Sequence, residues 1–190
     1  IVEGNDLPDF NPDDEYLKEV KSPIFYAVQK NINIQTGQPT VMEFDMQRIS
    51  QRMNIIFNIR TEGNIKKEDL SAPIIELSGT CGRFNISDAC LDTTRLYRTV
   101  HQVQPDEFTQ TGEGTYRCAV HFHTLGIIPS AAKGHLNGPG ILQVALQVST
   151  PQLDAAGAPV LDADGNPVKN SRYIYGAINP YDELTAAQLI

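Results

Sequence analysis

Between Val41 and Thr61 the chain reads VMEFDMQRISQRMNIIFNIRT and changes hydrophobic period halfway. Met46, Ile49 and Met53 recur at three and four residues, the spacing of one face of a short helix. Asp45 stands at the head of that run, where a short polar side chain can cap free backbone N–H groups. Ile55, Phe57 and Ile59 then alternate with Ile56, Asn58 and Arg60, which is the pattern of a half-buried strand. The stretch therefore predicts a helical turn feeding directly into a core strand, around which the other strands assemble.

The remaining strand candidates are short and separated by Gly/Pro turns. Ile24–Gln29, Ile74–Ser78, Leu96–Gln104, Ile141–Ser149 and Tyr173–Ile178 alternate or are rich in β-formers, and Asn31–Ile34 and Arg83–Ile86 do so less clearly. Thr115–Leu125 alternates most regularly, with Tyr116, Cys118, Val120 and Phe122 facing one way and Arg117, His121 and His123 the other. Gly79 and Gly82 predict a bulge or tight turn. Ser87–Thr94 and Pro129–Gly140 have the composition of loops, Thr109–Gly114 that of a flexible turn, and Asp164–Gly165 that of a hairpin turn inside Val160–Val168. Asp182–Ile190 favours a short helix, and no internal repeat stands out. Residues 1–23 are acidic, hold three prolines and keep no period, so they read as an extended arm or linker before a domain spanning 24–190. These elements predict a mainly β protein, an antiparallel β-sandwich with one or two short helices.

Charge narrows the function classes. The chain has 15 Lys and Arg against 23 Asp and Glu, a formal net charge of −8. That balance argues against nucleic acid and against an anionic membrane surface as direct partners, since both need clustered cations. No apolar run approaches the length of a membrane span, and the chain opens on Ile1, which suggests a trimmed or mature form.

Residues that could carry chemistry are few. His121 and His123 lie two apart on one strand, so both imidazoles reach the same face and form the best metal candidate. Two polar residues on the solvent face of a strand explain the same spacing, and neither His101 nor His135 can be placed nearby. Asp162, Asp164 and Asn166 resemble part of a calcium loop, but Gly165 and Tyr173 stand where that loop needs other positions, and a hairpin turn explains them better. Asp13, Asp14 and Glu15 form an acidic run flanked by proline, the pattern of a solvated stretch. Cys81, Cys90 and Cys118 allow at most one disulfide; three small buried residues are the simpler expectation. No G-x-S-x-G elbow, phosphate-binding loop or defensible Cys–His pair is present, so no enzyme, catalytic residue or cofactor is expected.

The order of several short segments resembles the Bacteroidales fimbrillin-type proteins. MEFDMQRISQRMNIIFNIR, with Arg48 and Arg52 in an R-x-x-x-R arrangement, is similar to the family's helical turn before a core strand. IIELSGTCGRFNIS is similar to its strand-then-glycine segment, HFHTLGIIP to its f-x-T-f/l-G-l segment, and YIYGAINPYDELTAAQL to its close. The resemblance implies a transthyretin-like β-sandwich, exported as a lipoprotein to the outer membrane surface and lacking a transmembrane span. It also implies a role in adhesion as a fimbrial shaft, anchor or tip subunit, with other fimbrial subunits as partners through strand exchange. On that basis the site would be an assembly groove plus an extended arm, Ile1–Phe10. The rival expectation is a surface glycan- or host-ligand-binding module using exposed aromatics, for which Tyr173 and Tyr175 are the candidates.

Overall fold

A computed structural model describes residues 2–4, 22–63, 65–130, 134–136 and 138–187. In chain order the strands are β1 (Val2–Gly4), β2 (Phe25–Tyr26), β3 (Gln47–Arg48), β4 (Gln51–Arg60), β5 (Ile74–Cys81), β6 (Phe84–Asn85) and β7 (Cys90–Leu91). They continue with β8 (Leu96–Gln102), β9 (Thr109–Gly112), β10 (Thr115–Thr124), β11 (Leu142–Pro151) and β12 (Lys169–Ile178), and one helix follows, α1 (Tyr181–Ala186). A five-stranded sheet runs β1-β12-β11-β5-β8 and a three-stranded sheet β4-β10-β9, with every pairing antiparallel. The two sheets close on one apolar core, which makes the molecule an antiparallel β-sandwich.

Alternation decides which side chains fill that core. Met53 and Phe57 on β4 and Tyr116, Cys118, Val120 and Phe122 on β10 face Ile75 and Leu77 on β5 and Leu142 and Leu146 on β11. Each such Phe or Leu removed from water contributes roughly 1.5–3 kcal/mol before ordering costs. Leu184 of α1 enters the same core, so the short helix is held by one buried anchor.

Gly79 makes the bulge that its sequence neighbourhood predicts, with the β5–β8 register shifting between Ser78 and Thr80. β11 accompanies β5 only as far as Leu77. Beyond it the segment Gly126–Ile128 takes over the edge: Cys81 N–H donates to Gly126 O at 2.9 Å and Ile128 N–H to Gly79 O at 2.9 Å. Gly79 holds φ at +76°, and a Cβ there would meet the backbone of Gly140 and Ile128, so only glycine lets the two chain segments cross.

Several expectations need correction. No helix forms over 45–53. Met53 belongs to the strand alternation with Ile55, Phe57 and Ile59, while Met46 is 60% exposed, so burying the former in a sheet outweighs a helical face that has nothing to cover. Arg48 instead lies in β3, opposite Phe25, and Arg52 in β4. The predicted strand Ile24–Gln29 shrinks to β2, and Asn31–Ile34 is irregular, with Ile34 exposed and Asn31 at positive φ. Thr109–Gly112 is a strand, not a turn; it is an edge strand exposed on both faces, so polar residues suffice. Ser87–Thr94 is not wholly a loop, because Cys90–Leu91 pairs with Phe84–Asn85. The helix starts at Tyr181 and ends at Ala186.

The connection from β11 to β12 holds an internal repeat that the hairpin pattern conceals. LDAAGAPV (153–160) is followed at once by LDADGNPV (161–168), identical at six of eight positions. The two copies fold alike. Asp154 Oδ1 accepts from the N–H groups of Ala156 and Ala158 at 2.9 and 2.8 Å, and Asp162 Oδ1 from those of Asp164 and Asn166 at 2.9 and 2.8 Å. Gly157 and Gly165 both stand at φ +81°. Three N–H···O bonds of 2.8 Å then close a ring: Gln152 donates to Val168, Val168 to Val160, and Val160 to Gln152. The aspartates at 154 and 162 are thus committed to turn geometry.

Candidate functional site

The features open to a partner are strand edges and sheet faces. β12 is ten residues long, and β1 covers only part of its outer edge, with Val2 opposite Tyr175, Glu3 opposite Ile174 and Gly4 opposite Tyr173. On the other sheet, β4 pairs with β10 along all ten residues and has no strand on its outer edge among the described residues. Beneath that edge lies a cleft of about 570 Å³ whose walls include Met53, Ile55, Leu142, Ile178, Pro180 and Leu184. The cleft lies between β4, the adjoining ends of β11 and β12, and α1. Of the proposed arm Ile1–Phe10, Val2–Gly4 lies on β12; the remainder, and Asp13, Asp14 and Glu15, fall outside the described residues.

His121 and His123 share the outer face of β10, yet their surroundings differ. His121 is exposed and its Nδ1 lies 2.7 Å from Asn54 Oδ1, which also accepts from Arg52 Nε at 3.1 Å. With a carbonyl oxygen as partner, Nδ1 carries the proton. His123 is partly covered, with Nε2 buried. His101 packs edge-on against core Phe122 at 6.2 Å, so it faces the interior rather than the other two histidines. Among the described residues no group of three or more His, Cys, Asp or Glu is placed to hold a metal ion.

All three cysteines are free thiols. Cys81 and Cys118 are buried, whereas Cys90 is exposed on the short β6–β7 hairpin, which corrects the expectation of three buried residues. Burial pushes the Cys118 thiol up to about 11, with the Glu107 carboxylate adding to the shift. Cys81 is raised by burial and then by Asp92. Buried thiols held in the neutral form are poor nucleophiles.

Tyr173 and Tyr175 stack with centroids 6.2 Å apart and planes 17° from parallel, each ring half-buried. Alternation on a strand made this pair legible; the open β4 edge was not, because edge position depends on which strands fail to arrive. No helix among the described residues is long and apolar enough to cross a membrane. The fold and site define an antiparallel β-sandwich in which, among the described residues, the outer edge of β12 is partly covered by β1 and the edges at β8, β4 and β9 have no further strand. Comparison of the chain with protein-family models, with curated proteins and with solved structures finds no match.

Proposed function

We propose that the chain is a non-enzymatic cell-surface subunit, a fimbrial subunit or a fimbrillin-like anchor or tip protein, exported as a lipoprotein and acting in adhesion. In this reading subunits join by strand complementation. The observation that supports it most is β1: an N-terminal segment adds as an antiparallel outer strand to β12, bonding through its backbone. The same addition made by another subunit's segment would link two molecules. The β4 edge, with its apolar cleft, offers a second place for an extended segment.

The test removes residues 1–10 and titrates the folded remainder with a labelled peptide IVEGNDLPDF, followed by fluorescence polarisation. Saturable binding to the truncated chain, competed by unlabelled peptide, supports complementation. A folded truncated chain that takes up no peptide refutes it. Immunogold labelling of the source cells then assigns the role: label along filaments marks a shaft subunit, label at ends or bases a tip or anchor, and diffuse label defeats the fimbrial reading. The stacked Tyr173–Tyr175 pair favours one alternative, a surface module binding glycans or a host ligand. Calorimetry against a glycan panel, with heat lost in Tyr175→Ala, would favour it.

A further inference from the structure

The three-stranded sheet β4-β10-β9 has an unusual charge distribution for this chain. Its strands read QRMNIIFNIR, TYRCAVHFHT and TQTG, and none contains an Asp or Glu, although the chain as a whole carries −8. The register sorts its side chains cleanly. Met53, Phe57 and the even-numbered residues of β10 turn inward, while Arg52, Asn54, Ile56, Asn58 and Arg60 are exposed on the other face beside Arg117, Ala119 and His121. Arg52, Arg60 and Arg117 form no ion pair with any described residue. Acidic residues stand at the margins of this face, Glu113 in the β9–β10 turn near Arg60 and Glu183 in the cleft that Arg52 also lines, but the strand faces themselves carry only cations, a local field that favours an anionic partner.

We propose that this outer face binds a linear anionic glycan, a chain of uronate or sulfated sugars. The cations fall into two groups at opposite ends of the β4–β10 ladder. Arg60 and Arg117 stand together at one end, Arg117 being opposite Asn58, while Arg52 stands at the other beside the Asn54–His121 pair. Six to eight residues of strand separate the groups, about 20–27 Å at the usual rise. Between them Ile56 lies opposite Ala119, an exposed apolar step without long side chains, suited to the C–H face of a sugar ring. Asn54 uses Oδ1 to accept from Arg52 and His121, which leaves its amide N–H groups to reach ligand hydroxyls. A linear polymer with repeated charges meets both groups at once and gains by their linkage. Nucleic acid is the poorer candidate because the outward-facing positions of β4 and β10 hold no Phe, Tyr or Trp on which bases could stack.

The probe is heparin immobilised for surface plasmon resonance with the full chain, at about 0.1 M salt, where exposed charges are still felt. One variant combines Arg52→Gln, Arg60→Gln and Arg117→Gln. A second removes equal charge elsewhere, through Lys30→Gln, Arg83→Gln and Lys169→Gln, all exposed positions. Unchanged urea midpoints establish that both still fold. The expected result is binding that weakens with salt, an affinity loss of about tenfold or more in the first variant and under about twofold in the second. Neutral dextran should give no signal. No heparin binding, or equal losses in both variants, overturns the proposal. Poly-glutamate competing as well as free heparin overturns the assignment to a glycan and points to an acidic polypeptide instead.

Discussion

Replacing Gly79 by alanine should be among the most damaging single-methyl additions in the molecule. The added Cβ would lie 2.5 Å from the Gly140 nitrogen, 2.7 Å from the Ile128 oxygen and 2.8 Å from Pro139 Cβ. Two of those atoms are backbone, so relief requires moving the crossing segment. That segment is tied by Ile128 N–H to Gly79 O and by Gly140 N–H to Ser78 O, at 2.9 and 3.0 Å. Two costs add. Holding alanine at positive φ costs roughly 1–2 kcal/mol, and overpacking costs roughly 1–3 kcal/mol. Gly79→Ala should therefore lose about 3 kcal/mol in urea unfolding followed by circular dichroism. Gly157→Ala separates the two contributions, because Gly157 has φ +81° and nothing within 4 Å of its hypothetical Cβ. It should lose about 1 kcal/mol, the conformational part alone. Equal losses in the two variants would refute the crowding at the crossing.

Four further outcomes are expected. Phe122→Ala, at a fully buried position in β10, should cost about 3–5 kcal/mol in the same urea assay. The Cys118 thiol, raised by burial from 9.0 to about 11, stays neutral in the fold after the unfolded thiol has begun to ionise. Its contribution is therefore full below pH 9.0 and is lost as pH rises through about 11, so urea midpoints should fall across that window, and less so in Cys118→Ala. A thiol-specific dye should likewise react at once with exposed Cys90 and reach Cys81 and Cys118 only after unfolding. Deleting residues 161–168 should leave the sandwich stability within about 0.5 kcal/mol. Val160 N–H already bonds Gln152 O at 2.8 Å, so the first copy can close the hairpin unaided.

What the sequence revealed followed burial closely. β10 was legible down to its faces, since one side meets core and the other solvent and alternation records the difference. The Asp164–Gly165 turn was legible from local backbone chemistry. Met46 and Ile49 misled because a three- and four-residue spacing records a helix face only if something packs against it, and Met46 is largely exposed. β9 left no hydrophobic trace because none of its residues is buried. The repeat was visible as Leu, Asp, Ala, Gly, Pro and Val recurring eight residues apart, a period easily mistaken for two ordinary hairpin halves. The cationic outer face depended on register between β4 and β10, which separate strands do not disclose one at a time.

The twin loops also bear on how quickly the protein reaches its fold. Each closes bonds between residues at most eight apart, so each can form on the microsecond scale typical of local hairpins, before distant strands have met. Once both have curled, Gln152 and Val168 are neighbours, and the loop that must close before β11 meets β12 is effectively much shorter. Pairing can then zip outward from Pro151 opposite Lys169 to Leu142 opposite Ile178. A slip of one residue would turn every side chain of β12 to the wrong side. The duplicated loops thus act as a starting clamp that sets the alignment of the longest ladder in the larger sheet.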